Sequence, residues 1–106
     1  MQNVTIELDK KRTLKFGIKA FLTIEKTLGV PMDKVDFNMQ ESIFVLILGG
    51  LIHEDKKLTL DKVIDLVDAK IEKVAEEENI PFMEAYGKTM QELGEAIGEA
   101  MNTKTP

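Results

Sequence analysis

The stretch Ser42-Ile43-Phe44-Val45-Leu46-Ile47-Leu48-Gly49-Gly50-Leu51-Ile52-His53-Glu54-Asp55 sets an unbroken apolar run, Ile43 to Ile52, inside an acidic chain. Where that run goes decides the fold. Crossing a bilayer as a helix takes about 20 apolar residues, and Glu41 on one side with His53-Glu54-Asp55 on the other closes the run at about half that length. Ile43-Phe44-Val45 would suit a strand, but Asn38-Met39-Gln40-Glu41 offers a cap and an acidic first turn. The segment therefore reads as a helix over residues 39–53 that is apolar on every side. A helix of that kind has to be surrounded by the rest of the chain.

Two details of the run refine this. Gly49 and Gly50 weaken a helix, so their use implies close approach of a neighbouring element. Phe44 is expected at the centre, where an Asp would bury an unpaired charge and cost several kcal/mol. His53 at the helix end suits the negative end of the helix dipole and needs no chemistry to explain it.

Upstream, Val4, Ile6 and Leu8 alternate with Thr5 and Glu7, and Leu14 and Phe16 alternate with Thr13 and Lys15 across the polar turn Asp9-Lys10-Lys11-Arg12. Period-two alternation on both sides of a turn predicts a β-hairpin over residues 3–16 that needs cover on its apolar side. From Ile18 the period changes to three and four through Phe21, Leu22, Glu25 and Leu28, and Gly29 and Pro31 end it. That pattern predicts a helix over 18–28, followed by a loop with room for one helical turn.

Downstream, Thr59 can cap a helix over 59–76 whose stripe is Leu60, Val63, Ile64, Val67, Ile71 and Val74. Asn79-Ile80-Pro81 resembles a further helix start, giving a helix over 80–101 and a frayed tail over 102–106. Its stripe is Met83, Tyr86, Met90, Leu93, Ile97 and Met101, interrupted by Gly87, Gly94 and Gly98. This stripe either closes the domain's own core or meets a partner, for which flexible thioethers are well suited. Gly94-Ala96-Ile97-Gly98 would also allow close pairing between copies. The expected fold class is α+β, mostly α, in which a hairpin and four helices pack around the apolar one in a single domain.

With 106 residues, 43% hydrophobic and 31% charged, the chain has the size and composition of one globular domain. Its net charge of -5 argues against phosphate-directed binding of nucleic acid and against anionic membranes. The charge is unevenly spread: residues 1–26 carry six Lys or Arg against three Asp or Glu, and residues 76–106 carry two against seven. The two ends could attract each other within or between copies, while Lys10, Lys11, Arg12, Lys15 and Lys19 read as solvated charges. The opening MQNVTIELDKK lacks the apolar core of a secretion signal, so the product is expected to stay where it is made.

Residue inventory disfavours catalysis. Without cysteine there is no thiolate nucleophile and no Cys-based zinc site. Ser42 and His53 lie on the same expected helix, roughly 16 Å apart at 1.5 Å per residue, and cannot form a dyad. Gly49-Gly50 is followed by Leu51-Ile52, which is no phosphate loop. His53-Glu54-Asp55 lacks a second ligand cluster, and the Asp55–Asp61 loop lacks the oxygen spacing of a calcium loop. No catalytic, metal or cofactor-binding residues are expected.

Taken in order, the hairpin VTIELDKKRTLKF (4–16), the helix GIKAFLTIEKTLGV (17–30) and the apolar helix ending LGGLIHEDKKLTLDKVIDLVDA (48–69) resemble the tail assembly chaperones of long-tailed phages and prophages of Gram-positive bacteria. Gene-transfer-agent tail proteins have a similar pattern. The matching residues are Phe21, Glu25 and Leu28-Gly29 on the first helix, Gly50-Leu51 with His53 at the apolar helix end, and Leu58-Thr59-Leu60-Asp61 opening the next helix. The resemblance spans about residues 4–70. It implies a non-enzymatic protein of the bacterial host's cytoplasm, absent from the mature virion, that keeps the tape measure protein soluble and helps recruit tail tube subunits to it. The assignment of Met83, Tyr86, Met90, Leu93, Ile97 and Met101 as a contact surface rests on pattern alone. The alternative is a structural or regulatory homo-oligomer that pairs through the same C-terminal helix.

Overall fold

Val4–Glu7 (β1) and Lys11–Leu14 (β2) form an antiparallel hairpin in the register Val4↔Leu14, Thr5↔Thr13, Ile6↔Arg12 and Glu7↔Lys11. Alternation puts Ile6 and Leu14 on the face that packs inward, while Thr5, Glu7 and Lys11 stay exposed. The computed structural model describes residues 3–101, so the expected frayed tail 102–106 lies outside the described residues. After the hairpin come α1 (Ile18–Leu28), a short 3₁₀ turn at Met32–Lys34, α2 (Gln40–Leu51), α3 (Leu60–Glu78) and α4 (Phe82–Met101). The α+β, mostly α architecture of a hairpin and four helices is therefore the one the sequence predicts.

The apolar run is α2, and it packs against α1, α3, α4 and β2. Val45, Leu46, Ile47, Leu48, Gly49, Gly50 and Leu51 are all buried. Each fully buried aliphatic side chain stabilises the fold by roughly 1.5–3 kcal/mol relative to exposure. Phe44 departs from expectation: it is only half-buried, and the centre of the core is Val45, Ile47 and Leu51 with Leu14, Phe16 and Ile24. The helix is also shorter than predicted. Met39 occupies the cap position with no side-chain bond, and just before it the Asn38 N–H donates to Asp36 Oδ1 at 3.0 Å.

Gly49 and Gly50 explain how α2 can be surrounded so tightly. A methyl group on Gly49 would fall 2.6 Å from Ile24 Cγ1 and 3.1 Å from the Ala20 carbonyl oxygen; one on Gly50 would fall 2.7 Å from Leu14 Cδ2. The glycines are what let α1 and the hairpin approach. This crossing also corrects the stripe read for α1. Its inner face is Ala20 and Ile24, flanked by half-buried Phe21 and Leu28, while Ile18 and Leu22 are 78% and 60% exposed. Small residues mark the closest contact between helices, so a count of bulky ones lands off the buried face.

Gly29 ends α1 with φ at 74° and its N–H bonded to the Glu25 carbonyl, the left-handed cap that glycine adopts without strain. Thr59 caps α3 by accepting from the Lys62 N–H at 3.2 Å. In α3 the buried stripe is Val63, Leu66, Val67 and Ile71; Ile64 faces solvent and Leu66 takes the place expected of it. Asn79, read as a helix start, instead closes α3 in a left-handed conformation with φ at 54°. The Pro81 carbonyl then accepts from Glu84 and Ala85 to open α4.

Two polar features join hairpin to helices. Arg12, expected in solvent, is only 6% exposed and lies across from Ile6. Its Nε and Nη2 donate to the two Asp9 carboxylate oxygens at 2.8 and 3.0 Å, which supplies the partner a buried guanidinium requires. The C-terminal end of α2 meanwhile covers the outer edge of β2. Thr13 N–H donates to the Glu54 carboxylate at 3.2 and 3.3 Å, His53 Nε2 donates to the Thr13 carbonyl at 2.8 Å, and Lys15 N–H donates to the Gly50 carbonyl at 2.9 Å.

Candidate functional site: an apolar groove between α2 and α4

The C-terminal half of α4 crosses the first turns of α2 and leaves an open groove of about 350 Å³. Its walls are Phe37, Ile43, Leu46, Ile97 and Met101, and Gly94 and Gly98 line the side formed by α4. The reason for the groove is in the residue sizes. Methyl groups added at Gly94 or Gly98 would have no neighbour within 4 Å, so the helix surface is recessed there and none of the described residues fills it. Phe37 sits on the loop before α2 and remains 49% exposed although it has an apolar cleft beside it.

The predicted α4 stripe divides between core and surface. Met90, Leu93 and Ile97 are buried in the domain's own core together with Ala85, Thr89 and Ala100. Tyr86 and Met101 are half-buried, and Met83 is 72% exposed at the other end of the helix. Of the six residues singled out, the groove gathers only Ile97 and Met101. Phe37 was not singled out in the sequence and Ile43 was read only as part of the buried run, because their meeting with α4 joins distant parts of the chain. The detectable signal was Gly94 with Gly98, one helical turn apart on an otherwise periodic helix.

The charged residues next to the groove in sequence are acidic, although none of them lines it and Glu95 and Glu99 turn toward β1. Glu95 follows Gly94, Glu99 follows Gly98 and Asp36 precedes Phe37; all three are exposed, and no Lys or Arg occurs between Gln91 and Met101. The hydrogen bond from Arg12 holds the Asp9 carboxyl below its ordinary value, against the opposing effect of burial. That pair lies in the hairpin, outside the groove. At the surface Glu78 raises the Lys88 ammonium by a direct ion pair that ties the end of α3 to α4.

Polar groups do not converge into a reactive centre at the positions considered from sequence. Ser42 is buried near the start of α2, and His53 lies just beyond its far end, bonded to Thr13. Among the described residues there is no group of three His, Cys, Asp or Glu side chains placed to hold a metal ion. No helix among them is long and apolar enough to cross a membrane. Comparison of the chain with protein-family models, with curated proteins and with solved structures returned no match.

Proposed function

We propose that this protein is a non-enzymatic tail assembly chaperone that holds an amphipathic helix of the tape measure protein in the α2–α4 groove. The observation that carries the reading is the groove itself: a recessed apolar surface of Phe37, Ile43, Leu46, Ile97 and Met101 on an acidic body. Helix-in-groove recognition needs apolar anchors spaced along one face and a host surface that leaves room for the guest backbone. Gly94 and Gly98 provide that room. The residue pattern over 4–70 supports the same reading, since it resembles such chaperones, whose cargo presents long apolar helical stripes. Recruitment of tail tube subunits, and action in the host cytoplasm before the virion is complete, belong to the same proposal.

Self-association through the groove is the competing use. Glu92, Glu95 and Glu99 line the side of α4 that faces β1 and not this groove, so like-charge repulsion does not separate a second copy from a cargo helix here. Co-expression with a tape measure protein tests the proposal. Wild type should raise the soluble, co-purifying fraction of the cargo, and Gly94→Leu/Gly98→Leu, which fills the groove, should remove that gain. Cargo that stays insoluble with wild type, or that is held equally by the filled variant, would overturn the reading.

A further inference from the structure

The two edges of the hairpin differ. On β2, the outward main-chain groups of Thr13 and Lys15 are bonded to Glu54, His53 and Gly50. Main-chain groups in an antiparallel pair point alternately toward and away from the partner strand. Because Thr13 points away, Arg12 and Leu14 bond to Ile6 and Val4, and the N–H and C=O groups of Thr5 and Glu7 point outward from β1. Among the described residues nothing bonds to them.

That edge opens onto a groove of about 410 Å³ lined by Val4, Thr5, Ile6 and Glu7, with Glu92, Glu95 and Ala96 of α4 facing them. Residues of both faces of β1 line it, as only a groove along the strand's edge allows. The edge carries no proline and no bulge, the usual devices that block strand addition. Its far wall is acidic, with Lys11 as the cation on the hairpin side.

We infer that the outer edge of β1 accepts an extended, basic segment of a partner protein as a third strand. The segment's main chain bonds to Thr5 and Glu7, and its alternate Lys or Arg side chains face Glu92 and Glu95. Main-chain bonding supplies attachment and the acidic wall selects the sequence. A second copy of this chain is a poor occupant, because β1–β1 pairing would bring Glu7, Glu92 and Glu95 of one copy toward the same residues of the other. This surface is separate from the α2–α4 groove and does not depend on the chaperone reading.

The test is a titration of the full chain, labelled with ¹⁵N, with a blocked peptide of alternating valine and lysine. Thr5 and Glu7 amides should shift and gain protection from hydrogen exchange. Glu92→Lys/Glu95→Lys, which reverses both charges of the acidic wall, should weaken binding about tenfold or more, a loss of about 1.4 kcal/mol or more. Methylation of alternate peptide nitrogens should weaken it by a similar factor. Thr5→Pro removes an outward donor without touching the ladder to β2, and should lower affinity at unchanged melting temperature. Gly94→Leu/Gly98→Leu should bind the peptide as wild type does, which separates this result from failure of cargo capture. Equal binding of the methylated peptide, indifference to the α4 charges, shifts confined to the α2–α4 groove, or occupation of the edge by a second copy would each overturn the inference.

Discussion

Gly49 and Gly87 are the same residue type under opposite demands. At Gly49 a methyl group would lie 2.6 Å from Ile24 and 3.1 Å from the Ala20 main chain, so Gly49→Ala should destabilise the protein by about 1–3 kcal/mol through overpacking. At Gly87 nothing lies within 4 Å, and Gly87→Ala should stabilise by about 0.5–1 kcal/mol by restoring helix propensity. Urea denaturation of the two variants beside wild type reads both signs. Thr89 supplies a third case: its hydroxyl is buried without a hydrogen-bond partner among the described residues. Replacing it by the isosteric valine should raise stability by about 1 kcal/mol, measured in the same way.

The Asp9–Arg12 pair gives a pH dependence whose sign follows from the carboxyl. Asp9 is held below its ordinary value of 3.8 by the Arg12 hydrogen bond, so it binds fewer protons folded than unfolded near that pH. Its contribution is present above 3.8 and is lost as pH falls through the lower folded value. Because the Asp9 side chain is 41% exposed, solvent screens the pair and Asp9→Asn should cost only about 1 kcal/mol at neutral pH. The gap between variant and wild type in chemical denaturation should close in acid. A gap that widened on acidification would reverse the assignment.

At the scale of the element, α2 organises everything else. Ile47 is fully buried within it, and Ile47→Asp should unfold the domain or cost more than about 3 kcal/mol by burying a charge without a partner. Phe44→Asp, at a half-buried position, should cost less. Circular dichroism melts of the pair order the two positions. The existence and type of α2 were legible because ten apolar positions between charges admit few arrangements in water. Which residue stood at its centre was not, since periodicity is silent in a helix apolar all round. A different limit displaced the α1 face, where Ala20 and Ile24 pack inward while Ile18 and Leu22 do not. Apolar periodicity weighs bulky side chains, whereas at this crossing Ala20 and Ile24 are seated by the missing side chain of Gly49. Arg12 was misplaced for a related reason: its partner Asp9 is local, but its burial depends on helices far along the chain.

For the molecule as a whole, the candidate site was half legible. Ile97 and Met101 stood in a stripe read from α4 alone, and Gly94 with Gly98, read as room for pairing between copies, line the groove with open space above them. Phe37 and Ile43 reach the same groove only because α2 runs beneath α4, a long-range arrangement that no local pattern encodes. Of the other stripe residues Met90 and Leu93 went to the core, as did Ile97 itself, while Tyr86 is half-buried and Met83 exposed. The small apolar cleft is one exposed apolar feature of the described residues, beside Ile18 and Leu22 on α1 and Met83 on α4.

The claim that this cleft holds a cargo helix is tested most directly by methyl NMR of the full chain on addition of an amphipathic helical peptide from a tape measure protein. The account predicts shifts at Ile43, Leu46, Ile97 and Met101 with Val63 and Ile71 unmoved, and their loss in Gly94→Leu/Gly98→Leu. Shifts centred on the exposed Ile18–Leu22 surface of α1, or none at saturating peptide, would contradict it.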